Sequence, residues 1–153
     1  MNHRVLVRGQ PRYLRYRRAV ASAGRAALAA ARARRAELTL VLTGDRELRR
    51  LNRRFASVDR STDVLSFGSG EPASRQNSRY LGDVVISVPR ARRQAQSSGH
   101  PLDTELALLV VHGVLHLLGY DHARPLDRRR MSRLHARALG RLGLRLRHDP
   151  LLG

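Results

Sequence analysis

The sequence predicts an α+β fold, one mixed sheet forming a layer covered by helices. Three observations carry this. Segments rich in β-forming residues alternate with segments of helical spacing through the first two thirds of the chain, and helices close it. No internal repeat and no linker interrupts that order. The most apolar stretch, Leu106 to Leu118, lacks proline and reads as a helix buried among the others. With 153 residues, 42% of them apolar, residues 1–153 form one domain large enough to bury a core.

Arg4 to Val7 is a short strand. Pro11 opens a helix to about Ala31, with Leu14, Val20, Ala23, Ala27, Leu28 and Ala31 inward and Arg12, Arg15, Arg17 and Arg18 at its solvent end. Ala19 to Ala31 is Ala-rich, but Arg25 interrupts it, so it reads as this helix and not as a cleaved signal. Glu37 to Thr43 is a strand. Thr43, Gly44 or Asp45 then caps a helix to about Phe55, with Leu48 and Leu51 facing inward. Ala56 to Ser61 is loop, and Asp63 to Phe67 a further strand.

Gly68 to Arg79 mixes Gly, Ser, Pro and Asn without periodicity and reads as a mobile loop. Leu81 to Val88 is the next strand. Pro89 starts a short helix to about Ser97, and Ser97 to Pro101 breaks it. The apolar helix begins near Leu102. Pro125 opens the last helix, whose inner stripe is Leu126, Met131, Leu134, Ala138 and Leu142; the tail from Leu144 frays.

The charge is extreme. Formal net charge is +18, and all 30 basic residues are arginine. Codon preference can contribute to that, yet the resulting field attracts polyanions, nucleic acid first among them. No run of about 20 apolar residues is present, so nothing spans a bilayer. With no cysteine there is neither a disulfide framework nor a thiolate metal site, which suits a reducing cytoplasm.

Three of the seven histidines fall in Val111 to His122, spaced H-x-x-x-H-x-x-x-x-x-H. His112 and His116 are four apart and share one helix face. Gly119 tolerates the positive φ that ends a helix in a tight turn, bringing His122 back toward the pair. Three imidazoles and one open position suit a catalytic zinc, one per chain, with another divalent metal also compatible. Such an ion polarises a phosphoryl oxygen and lowers the pKa of bound water to about 7. The zinc peptidases H-E-x-x-H-x-x-G-x-x-H share the spacing, but their glutamate base is Gly113 here.

The longer string His112-Gly113-Val114-Leu115-His116-Leu117-Leu118-Gly119-Tyr120-Asp121-His122 resembles the signature of the YbeY family of bacterial single-strand endoribonucleases. Leu51-Asn52 through Thr62-Asp63-Val64-Leu65-Ser66-Phe67 is similar to that family's L-N and T-D-V-L-S-F block. Leu81-Gly82-Asp83-Val84-Val85-Ile86-Ser87 is similar to its L-G-D-I-x-I-S strand. The resemblance spans roughly Leu38 to Met131.

It implies a four-stranded sheet and a zinc-dependent, single-strand-specific endoribonuclease. It also implies a cytoplasmic role in 16S ribosomal RNA 3′-end maturation and ribosome quality control, with the small ribosomal subunit as partner. The family usually has an arginine directly after the aromatic of L-N-x-x-[YF]; here Phe55 is followed by Ala56. Arg53, Arg54 and Arg60 are the neighbours that could bring a guanidinium to the same phosphate. Asp121 is a candidate to orient an imidazole N–H, and Ser66 to contact phosphate from the end of its strand. Asp63 and Asp83 read as structural; His100, His135 and His148 read as surface residues. Metal-bound water and the neighbouring 2′-OH are the two candidate nucleophiles for phosphorus. The runner-up function is a non-catalytic RNA- or ribosome-binding assembly factor with a structural metal.

Overall fold

The computed structural model describes residues 2–55, 64–68, 79–120 and 125–144. In order they form β1 (Arg4–Gly9), a 3₁₀ helix (Pro11–Tyr16), α1 (Arg17–Ala30), β2 (Ala36–Thr43), α2 (Asp45–Phe55) and β3 (Val64–Gly68). Then come β4 (Arg79–Ser87), α3 (Val88–Ser98), α4 (Leu102–Leu117) and α5 (Pro125–Arg141). The sheet has four strands in the order β1-β2-β4-β3. β1 and β4 pair parallel to β2, and β3 pairs antiparallel to β4. The mixed, helix-covered sheet is therefore the one expected.

Two details differ from the expected elements. The first long helix is split, and its opening turn is wound as 3₁₀, with the Tyr13 N–H donating to the Gln10 carbonyl at 2.9 Å. Both the 3₁₀ turn and α1 start among Arg12, Arg15, Arg17 and Arg18 with no acidic residue in the first turn and no side-chain cap, an unfavourable charge for either start. The tighter turn also buries Tyr13. In α5, Leu126 is 57% exposed and the buried stripe is Met131, His135, Ala138 and Leu139.

α4 is the hub. It touches α1, α3, α5, β3 and β4, and Leu106 through Val111 are all buried. That accounts for its lack of a polar face: a helix covered on every side is apolar all round. Val84 and Ile86 of β4 and Leu38, Leu40 and Leu42 of β2 join it in one core cluster with α1.

β4 carries an irregularity that the sequence explains. Glu37 pairs with Tyr80 but Leu38 pairs with Gly82, leaving Leu81 as an extra residue. Gly82 sits at φ +135°, and a Cβ there would lie 2.0 Å from the Phe67 carbonyl oxygen, so only glycine fits. Beside it the Tyr80 hydroxyl shares a hydrogen bond with the Thr39 hydroxyl at 2.8 Å and donates to Asp83 at 2.5 Å. Burial first, then the Asp83 hydrogen bond, raise the Tyr80 phenol above its ordinary pKa, against a smaller opposing effect of Thr39. Asp83 is thus engaged in bracing the sheet.

Candidate metal centre

His112 and His116 stand side by side near the C-terminus of α4. Their ring centroids are 4.6 Å apart, edge to face at 69°. The helix ends just beyond them in the turn expected from Gly119, which has φ +97°. The Tyr120 N–H donates to the Leu115 carbonyl at 3.0 Å and the Gly119 N–H to the His116 carbonyl at 3.0 Å. Those two bonds are the Schellman pattern, which reverses the chain after the last helical turn. Two adjacent imidazoles ahead of a reversing turn fit a zinc site as far as the described residues extend. Among them no cluster of three His, Cys, Asp or Glu side chains gathers around one point. His122 and Asp121, and with them Arg60, Ala56, Asp63 and His148, lie outside the described residues.

Gly113, between the histidines, is required by space. A Cβ there would stand 2.6 Å from Val84 Cγ1 and 3.2 Å from the Ser66 hydroxyl. The helix therefore lies tight on β3 and β4, and Ser66 Oγ donates to the Gly113 carbonyl at 3.0 Å. That hydrogen bond ties the edge strand to the residue next to His112. The same tight approach leaves no room for the glutamate that zinc peptidases carry at this position. Ser66 is thus held by the backbone of the histidine helix at Gly113.

Arg53 and Arg54 occupy the last turn of α2 and are both exposed. Two histidines expected at the surface are not there. His135, on α5, is 1% exposed, and its ring centroid is 6.5 Å from that of His112. His100 is half-buried, and its Nε2 lies 2.7 Å from a carboxylate oxygen of the fully buried Glu105. A buried acid needs such a partner, and the loop before α4 supplies it. The sequence does hold a signal for His135: it is four residues after Met131 and three before Ala138, on the inner face of α5.

Residues 12–143 match the family described as Endoribonuclease YbeY, and the chain belongs to that family. It is 50% identical over 109 residues to the Endoribonuclease YbeY of Myxococcus xanthus, covering 71% of this chain and 37% of that protein. It is 52% identical over 104 residues to that of Solibacter usitatus, covering 68% of this chain and 65% of the other. The chain thus spans between about a third and two thirds of the length of these two relatives. The solution structure of a Thermotoga maritima protein shares the fold, with TM-score 0.57 at 20% identity over 91% of both chains.

Proposed function

We propose that the protein is a zinc-dependent, single-strand-specific endoribonuclease that acts in 16S ribosomal RNA 3′-end maturation and ribosome quality control. The observation that carries the reading is the His112–His116 pair, fixed at the reversing end of a buried helix in a chain of the YbeY family. The relatives' name, Endoribonuclease YbeY, supplies the reaction class. His112, His116 and His122 would hold the ion, which when bound supplies Lewis acidity and a lowered pKa for coordinated water.

The chain's own groups do the rest. α4 packs against α1, α3, α5, β3 and β4, so the helix that carries the two imidazoles is a rigid support for them. Ser66 anchors the edge strand to Gly113 and so fixes the wall beside the histidines. Arg53 and Arg54, with Arg60 and Asp121, are the groups proposed to bind the scissile phosphate and orient an imidazole. The net charge of +18 draws the RNA in. The small ribosomal subunit is the proposed partner and the cytoplasm the proposed compartment. No helix among the described residues is long and apolar enough to cross a membrane.

Purified protein should contain about one equivalent of zinc and cut single-stranded RNA, and a chelator should abolish cleavage. His116→Ala should lose both metal and cleavage. Metal retained in full by that variant would remove His116 from the ligand set. Metal present without any cleavage would favour the assembly-factor reading instead.

A further inference from the structure

α2 and α3 enclose a surface cavity of about 570 Å³ lined by six arginines and one aspartate, Asp45. Arg46, Arg49, Arg50 and Arg53 come from α2. Their spacing of three, four and seven residues puts all of them on one face of the helix. Arg90 and Arg93 face them from the first turns of α3. We propose that this arginine cradle binds the phosphate backbone of single-stranded RNA flanking the scissile phosphate, with Arg53 common to both. The inference rests on the reading of RNA as the substrate.

Like charges three and four apart weaken a helix. α2 carries them nonetheless, offset in part by acids at hand: Glu47 pairs with Arg50 at 2.7 Å and Asp45 with Arg93 at 2.6 Å. Six guanidinium groups line the cavity against the one carboxylate of Asp45, so its wall is strongly positive. Guanidinium groups match phosphate geometry in a planar fork and are more weakly hydrated than ammonium groups. A membrane surface is a poorer fit. No apolar side chain lines the cradle. In α2 Leu48 is buried and Leu51 half-buried, so neither is free to insert into a bilayer. α2 also packs on β3, the strand whose Ser66 is bonded to the histidine helix. A strand of RNA lying in the cradle is therefore held on a helix that packs against the strand bonded to the histidine helix.

The test compares triple variants. Arg46→Gln, Arg49→Gln and Arg50→Gln together remove three cradle charges from α2, where glutamine is almost as good a helix former as arginine. Arg12→Gln, Arg17→Gln and Arg18→Gln remove the same net charge elsewhere. Binding to a long oligouridylate and to phosphatidylserine vesicles is followed over a salt series, and cleavage of the same RNA is measured in parallel. The cradle triple should bind RNA roughly 10- to 100-fold more weakly, and its slope of log K against log salt should be shallower by about 2, from about 0.7 for each phosphate no longer neutralised. The control triple should change both much less, and the three cradle arginines replaced by lysine should keep the parent slope. Equal losses in both Gln triples would make the effect one of net charge and overturn the proposal. So would parental RNA binding in the cradle triple with vesicle binding lost, or a lysine triple that loses the slope too. A parent that binds through the cradle but cuts no RNA would sink the endoribonuclease reading and leave the cradle standing. A parent that cuts RNA while the cradle triple binds as the parent does would sink the cradle alone.

Discussion

Gly113 shows how one missing side chain sets the chemistry of the centre. Its carbonyl accepts from Ser66 and its Cα faces Val84, so the histidine helix and the sheet meet there without a gap. Gly113→Ala gains up to about 1 kcal/mol of helix propensity but forces a contact that costs about 1–3 kcal/mol in a packed interior. At 2.6 Å from Val84 the second effect wins, and the variant should be less stable than the parent by about 1 kcal/mol. A lower urea midpoint with unchanged m-value checks it, and a midpoint at or above the parent's would mean the interface can open. The role of this glycine is only half legible in the sequence. Its lack of a base is plain from the H-G-x-x-H motif, whereas the reason for it lies in residues of β3 and β4 far away in the chain. For His135 the spacing from Met131 and Ala138 signals burial, but its place beside His112 is not in the sequence.

At the scale of elements, α2 and α3 begin at the same place and share one knot of polar groups. Ser87 caps α3 by accepting the Arg90 N–H at 3.3 Å, and its hydroxyl donates to Asp45 at the start of α2. Arg93 closes the knot on the other Asp45 oxygen. Burial works to raise the Asp45 pKa, but the hydrogen bonds from Ser87 and Arg93 and the charges of Arg93 and Arg90 outweigh it and hold the carboxyl below its ordinary value of 3.8. A carboxyl depressed in the folded state stabilises fully above its unfolded pKa and loses that contribution as pH falls through the folded value. The stability gap between the parent and Asp45→Asn should therefore be constant near neutrality and shrink as pH falls below 3.8. Denaturation midpoints of both proteins across that range test it; a gap that widens in acid would show the knot to be held by something other than the ionised carboxylate. The helix starts themselves are readable in the sequence, because Asp45 and Pro89 are strong local signals. The tie between them is not, since Ser87 and Asp45 are brought together only by the parallel pairing of β2 with β4. The split of the first helix is hidden for a different reason. Apolar spacing continues smoothly through Tyr16, so the pattern carries no sign of the change in winding.

The molecule as a whole carries far more positive charge than its fold needs. A net charge of +18 on 153 residues acts against compaction by self-repulsion, and against that the apolar cluster around α4 must hold the fold. Salt weakens that repulsion: the screening length falls from about 30 Å at 0.01 M to about 10 Å at 0.1 M. The melting temperature of the protein alone should therefore rise with added monovalent salt over that range. RNA should act in the opposite sense along the same axis. A ligand that binds only the folded state stabilises it by mass action, about 2.7 kcal/mol at a hundred times its Kd, but its Kd here depends on phosphate contacts that salt weakens. Added single-stranded RNA should thus raise the melting temperature strongly at low salt and progressively less as salt increases, while the baseline climbs beneath it. Thermal melts on a grid of salt and RNA concentration separate the two trends. A baseline that does not rise with salt would mean that the arginines are already neutralised within the fold. An RNA increment that survives high salt would mean that contacts to bases, and not the arginine field, dominate binding.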